Sequence, residues 1–97
     1  MKLLLCNKCG DMFNLGLDLK TCSCGETKGM YTDNLNAWYE GECTPFCIHN
    51  QEFKEACVEQ KIQNRLAPKD LIGRRFSAWI CPAGSPTFTK KEQHDNN

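Results

Sequence analysis

The chain has 97 residues, with 12 basic and 12 acidic side chains and a formal net charge of 0. This length allows one domain, whose core is only marginally stable without additional support. The balanced charge argues against nucleic-acid binding through bulk charge. Eight cysteines are many for so short a chain, and they indicate either a disulfide scaffold or a metal site.

The compartment follows from the apolar pattern of the sequence. The N-terminal apolar run covers residues 3–5, whereas the hydrophobic region of a signal peptide needs about 7–15 residues. No segment of the sequence approaches the roughly 20 apolar residues that span a membrane. We therefore expect a cytoplasmic protein without membrane contact, in which reduced thiols are available to a metal.

Two close cysteine pairs, each followed by a glycine, open the chain: Cys6 and Cys9 before Gly10, and Cys22 and Cys24 before Gly25. Two such knuckles are typical of a zinc site with four thiolates, although the second pair is one residue tighter than usual. Glycine permits the positive φ that each sharp turn requires. Because the protein would fill all four positions, we expect one structural Zn²⁺ and no metal catalysis, with iron as the lesser alternative.

Zinc would also change the stability and the charge of the protein. Metal binding in small zinc domains contributes on the order of 10–16 kcal/mol and is coupled to folding. Four thiolates remove four units of charge and Zn²⁺ restores two, which leaves the neutral chain at about −2.

Short strands are predicted over residues 2–5, 11–15 and 17–21, as a hairpin that carries both knuckles, and a further strand is predicted over 29–32. A turn at Asp33-Asn34 leads to a further strand over 35–40. The next segment, 42–49, contains Pro45 and is predicted to be irregular. The aromatic residues of these strands are expected in the core rather than as a stacking surface for bases: Tyr31, Trp38 and Tyr39.

One helix is predicted over residues 51–63, with Asn50 as its N-cap. Its apolar face has the spacing i, i+3, i+4, i+7, and Val58 and Ile62 lie beside that face: Phe53, Ala56, Cys57 and Gln60. A loop over 66–75 and a strand over 76–81 follow. The polar tail, 90–97, is predicted to be disordered.

Residues 4–31 resemble the zinc-ribbon superfamily through the two glycine-closed cysteine pairs. The two cysteine pairs, together with segments 33–37 and 85–88, also make the chain similar to small zinc-ribbon proteins of bacteria and their phages. The expected fold class is α+β: a small zinc ribbon of about residues 1–31, extended by antiparallel strands and one helix over 32–81. The expected domain is a single one over 1–89. The looser resemblance suggests a phage or prophage origin and carries no activity to transfer; a regulator or inhibitor of a host protein is the form that the protein-interaction hypothesis would then take.

Four further cysteines have no metal-ligand spacing, and ordinary core or surface thiols are favoured for them: Cys43, Cys47, Cys57 and Cys81. A second metal site, redox chemistry and a disulfide stay open as alternatives. A nucleophilic cysteine would need a base, and His49, two residues after Cys47, is the nearest candidate. The sequence otherwise holds no catalytic motif, so we do not expect an enzyme.

Charge is segregated along the chain, with an acidic middle over 26–59 and a basic segment over 61–75. The favoured function is a zinc-binding module that recognises a protein partner. The alternative is a nucleic-acid-binding ribbon, in which Phe76 or Trp79 would stack on bases. Its phosphate contacts, or equally the contacts to a protein partner, would come from the basic segment: Lys61, Arg65, Lys69, Arg74 and Arg75. The oligomeric state stays open.

Overall fold

A computed structural model describes residues 1–91, and these contain eight strands and one α-helix. The strands are β1 (Lys2–Cys6), β2 (Met12–Asn14), β3 (Lys20–Thr21), β4 (Lys28–Tyr31), β5 (Ala37–Glu40), β6 (Cys43–Ile48), β7 (Ala78–Ile80) and β8 (Phe88–Lys90). The helix, α1, spans Asn50–Leu66. The α+β class is therefore confirmed, with sheet predominating. No helix among the described residues is long and apolar enough to cross a membrane.

The strands form two four-stranded sheets, in the orders β2-β1-β6-β7 and β3-β4-β5-β8. Most neighbours are antiparallel, but β8 pairs with β5 in parallel. The first cysteine pair begins with Cys6, the last residue of β1, and precedes the partner strand β2, whereas the second pair lies between β3 and its partner β4. Because β2 and β3 belong to different sheets, the prediction of one hairpin carrying both pairs is wrong. The strand predicted over 17–21 is also shorter in the structure, where β3 covers only Lys20–Thr21.

The chain divides into two compact units: residues 1–47 with the described residues from Trp79 onward, and residues 48–78. We call these unit 1 and unit 2. In unit 1 the buried cluster consists of aliphatic, aromatic and cysteine side chains from both sheets and from the connecting segments: Leu4, Leu15, Ala37, Tyr39, Cys47, Cys81 and Phe88. Tyr39 and Phe88 pack edge to face, with ring centroids 5.1 Å apart. Tyr31 and Trp38 are half-buried.

The segment predicted to be irregular, 42–49, forms strand β6 instead. Pro45 is tolerated there because its carbonyl accepts the N–H of Cys81 at 3.0 Å, on the β7 side of the strand. A residue's N–H and C=O point to the same side of an antiparallel strand, so the N–H that proline lacks is not needed for the ladder with β1.

Strand β8 is absent from the sequence-based prediction. Phe88, 1% exposed, inserts into the core of unit 1, and the carbonyl of Thr87 accepts the N–H of Ala37 at 2.9 Å. The strand includes Lys90, the first residue of the predicted disordered tail. Lys91 is described as well, and only residues 92–97 of that tail lie outside the described residues. The single domain over 1–89 stays a prediction.

In unit 2, α1 begins one residue earlier and ends three residues later than predicted. Its N-cap is His49 rather than Asn50, because the Nδ1 atom of His49 accepts the N–H of Glu52 at 3.2 Å. The predicted apolar face lines one side of a groove of about 500 Å³. Phe76 lies on the other side and packs edge to face on Phe53, at 4.8 Å between ring centroids.

Candidate metal centre

The first cysteine pair lies in a tight turn after β1. Cys6 is fully buried and Cys9 is exposed. The N–H of Gly10 donates to the Cys6 carbonyl at 2.9 Å, and Gly10 has a φ of 79°. In this turn the N–H of Cys9 points at Sγ of Cys6, 3.5 Å away. The positive φ predicted for this glycine is therefore present.

The second pair repeats this arrangement with one residue fewer. Cys22 is buried and Cys24 is exposed, and Gly25 has a φ of 82°. The N–H of Gly25 donates to the Cys22 carbonyl at 3.1 Å. Sγ of Cys22 accepts a hydrogen bond from the N–H of Thr27, at 3.3 Å. The tighter spacing thus still allows a turn that aims a backbone N–H at the first sulfur.

The two turns bring the four sulfurs together, all within 4.8 Å of one another. Sγ of Cys24 lies 3.5 Å from Sγ of Cys22 and 3.7 Å from Sγ of Cys6. In a tetrahedral site with Zn–S bonds of about 2.3 Å, neighbouring sulfurs are separated by about 3.8 Å. The donor set and its spacing therefore fit a four-thiolate metal ion.

Hydrogen bonds between the two turns hold this geometry. The carboxylate oxygen Oδ2 of Asp11 accepts both the N–H and the hydroxyl of Ser23, each at 3.0 Å. Lys8 and Glu26 form an ion pair at 3.3 Å, exposed at both ends. Surface pairs contribute little, so Asp11 is the stronger of these two links.

A second link runs through the segment just before β6. The carbonyl of Glu42 accepts the N–H of Asn7 at 2.9 Å and the hydroxyl of Thr27 at 3.5 Å. Gly41, with a φ of 107°, brings this carbonyl close, and a Cβ on Gly41 would lie 1.9 Å from the carbonyl oxygen of Glu26. Glu42 therefore joins the first turn to the residue that supports Cys22.

The thiols of the cluster differ in pKa. The hydrogen bond from the Thr27 hydroxyl, followed by that from the Cys9 N–H, lowers the pKa of Cys6 to about 6. The Glu26 N–H lowers the pKa of Cys24, but partial desolvation of its sulfur within the cluster and the neighbouring sulfurs outweigh it and raise that pKa to about 12. Cys24 thus retains a proton at neutral pH that a divalent cation would displace, since metals bind the thiolate.

The other sequence-predicted residues lie outside this cluster. Cys43 is the register partner of Cys6 on β6 and is half-buried. His49 caps α1, and Cys57 is exposed on the helix. The basic side chains of 61–75 are all exposed, and Arg74 pairs with Glu59 at 3.3 Å. Among the described residues, the four early cysteines are the one group of three or more Cys, His, Asp or Glu with converging ligand atoms.

Sequence reasoning missed the residues that support the cluster: Asp11, Thr27, Gly41 and Glu42. Their roles depend on contacts between turns that lie far apart in sequence, and no spacing rule marks them. Gly41 carries the one usable signal, since an isolated glycine between two strands indicates a turn or a close backbone approach.

The chain matches no protein-family model, and comparisons with curated proteins and with solved structures also give no match.

Proposed function

We propose that this protein is a zinc-binding module of the zinc-ribbon type, in which one structural Zn²⁺ supports a surface that recognises a protein partner. The convergence of four cysteine sulfurs within 4.8 Å is the observation that carries the proposal. The ligands would be Cys6, Cys9, Cys22 and Cys24. When bound, the ion supplies a tetrahedral cross-link, and it activates no water because the protein fills every position.

The partner-binding part of the proposal is supported by apolar side chains of unit 2. Val58, Ile62 and Leu66 recur every four residues along α1 and are 59%, 48% and 78% exposed. Residues at this spacing share one helix face. Leu71 and Ile72, in the following segment, are 95% and 72% exposed. Exposed apolar side chains that share one helix face are typical of protein-interaction sites.

Nucleic-acid binding is the second candidate, favoured by the exposed basic side chains of 61–75. Two carboxylates close to these basic side chains argue against this candidate. Glu59 pairs with Arg74, and Asp70, within the basic segment, accepts the N–H of Ile72 at 2.9 Å. If the chain is of phage origin, as the looser resemblance suggests, the protein-binding candidate takes a more specific form: a regulator or inhibitor of a bacterial host protein. We propose no catalytic step.

The test is affinity capture from bacterial lysate with the zinc-loaded protein, with and without nuclease. Three variants are compared. The helix variant combines Ile62→Ser with Leu66→Ser, and its matched control is Leu17→Ser. The basic variant combines three substitutions: Lys61→Ala, Arg65→Ala and Arg75→Ala. Leu17 is also exposed, at 65%, but lies in unit 1. We expect one stoichiometric protein that survives nuclease, is lost with the helix variant and is retained with the other two.

The opposite pattern supports nucleic-acid binding. Capture would then be nuclease-sensitive and lost with the basic variant, and affinity would fall with salt by a log–log slope of about −0.9 for each phosphate contact. If all variants capture the same molecules equally well, neither the apolar helix face nor the basic segment of unit 2 is the binding surface.

A further inference from the structure

Two buried cysteines outside the candidate metal centre lie side by side in unit 1. The Sγ atoms of Cys47 and Cys81 are 2.7 Å apart, whereas a disulfide bond measures about 2.0 Å. Both residues are less than a tenth exposed and belong to the buried apolar cluster. No third metal-ligating side chain of the described residues converges on them. A metal site is thus not what their proximity indicates.

Strand pairing is what places the two sulfurs together. The N–H of Cys81 donates to the Pro45 carbonyl, so Cys81 lies opposite a residue two positions before Cys47. Residues two apart on a strand share a face. Cys47 and Cys81 are therefore diagonal neighbours on one face of the sheet, close enough for long or polarisable side chains to meet.

We propose that Cys47 and Cys81 form a reversible disulfide by exchange with a low-molecular-weight disulfide. The Cys47 thiolate attacks one sulfur of that molecule, which breaks its S–S bond and releases the other half as a thiolate. Cys81 then transfers its proton to the departing thiolate and attacks Sγ of Cys47, releasing the second half. Two protein thiols are oxidised, the small disulfide takes up their two electrons and two protons, and two small thiols result.

The order of attack follows from the surroundings of Cys81. Burial, and then the hydrogen bond with Cys47, raise the pKa of Cys81 to about 12. A thiol that stays protonated at neutral pH is a poor first nucleophile, so exchange begins at Cys47. Because both sulfurs are buried, the reaction requires local opening and proceeds slowly. Strand β7, whose residues are all exposed, forms the edge of the sheet through which the small disulfide can enter.

The bond would close a specific part of the chain. Residues 48–80 lie between the two cysteines and include all of unit 2. Oxidation therefore closes residues 47–81 into a covalent loop, and reduction reopens it. The candidate metal ligands take no part in this chemistry.

The experiment incubates the zinc-loaded full chain with glutathione and glutathione disulfide at a series of ratios. Free thiols are then alkylated, and unreduced tryptic peptides are mapped by mass spectrometry. Before alkylation, we expect the mass of the zinc-loaded chain to be lower by about 2 Da, from the loss of two hydrogens, with bound zinc retained. Peptides 29–54 and 76–90 should be linked, and excess glutathione should separate them.

Controls assign the link to its sulfurs. Peptide 29–54 also contains Cys43, so Cys43→Ser must retain the link and Cys81→Ser must lose it. The mapping uses the wild-type chain and does not depend on whether the Cys81 variant folds. The proposal is overturned by a link through Cys43 or a metal ligand, by a dimer joined at Cys57, by a persistent glutathione adduct, or by free thiols even in glutathione disulfide alone.

Discussion

The backbone N–H of Thr27, a residue with no exposed surface, points at Sγ of Cys22 from 3.3 Å. The hydroxyl of the same residue lowers the pKa of Cys6 through a hydrogen bond, and the Glu42 carbonyl, 3.5 Å away, is the alternative acceptor of its single proton. One buried threonine thus supports the first sulfur of both pairs. Such partners outside the ligand set orient metal ligands and adjust their basicity.

Replacing Thr27 by valine keeps the shape of the side chain and the backbone N–H but removes the hydroxyl. We expect the pKa of Cys6 to rise and the zinc affinity at neutral pH to fall about 10–100-fold. Competition with a chromophoric chelator measures this affinity. The matched control is Thr21→Val, at an exposed residue of β3, which should bind as the wild type does. Wild-type affinity in Thr27→Val would show that the hydroxyl is not part of the site.

Gly10→Ala tests the strain in the first turn. Gly10 has a φ of 79°, and nothing lies within 4 Å of a Cβ placed there. The cost therefore comes from the left-handed backbone alone, about 1–2 kcal/mol in the free energy of unfolding. Urea unfolding of the zinc-loaded protein measures it. Gly16→Ala is the control, since Gly16 has open space and no positive φ. Equal effects of the two substitutions would contradict the assignment of strain to the turn.

Gly41→Ala combines the same strain with a steric clash. The added Cβ would meet the carbonyl oxygen of Glu26 at 1.9 Å, and backbone must move to accommodate it. We expect a loss of about 3 kcal/mol or more in unfolding free energy, together with weaker zinc binding, because Glu42 is displaced from Asn7 and Thr27. Gly84→Ala, with open space around it, should change neither quantity. If Gly41→Ala lowers stability but leaves zinc affinity intact, the Glu42 link does not support the site.

Zinc binding should weaken as the pH falls. Cys24, with its pKa raised to about 12, holds a proton at neutral pH that zinc must displace. Cys6, with its pKa lowered from 9.0 to about 6, is ionised at neutral pH and becomes protonated below about 6. The contribution of Cys6 to the stability of the metal-free fold is full above 9.0 and is lost as the pH falls through about 6. Zinc titrations between about pH 5 and 8 should show affinity increasing with pH and falling most steeply below about 6. An affinity independent of pH would contradict thiolate ligation.

The sequence predicts those features whose causes are local. Cysteine spacing and the following glycines indicate the two turns, and both glycines have the positive φ that the turns require. Apolar periodicity predicts α1 and the side that faces the groove, including Phe53 and Ala56. Zinc as the ion, and the four cysteines as its ligands, stay predictions.

The features that sequence reasoning misses depend on distant pairing. Pro45 argues against a strand unless the partner strand and the direction of each carbonyl are known. Strand β8 pairs in parallel with β5 across a long connection, which no local pattern indicates. The N-cap of α1 shifts to His49 because its ring nitrogen accepts the helix N–H, a role that asparagine more often takes.

The most direct test of the account is a zinc titration of the metal-free protein that reports stoichiometry and affinity together. We predict one zinc per chain for the wild type and for Cys57→Ser, whose thiol is exposed on α1. Cys24→Ser, which removes one of the converging sulfurs, should bind zinc at least about 100-fold more weakly. Wild-type binding by Cys24→Ser, or no tight zinc in the wild type, would contradict a four-thiolate structural site.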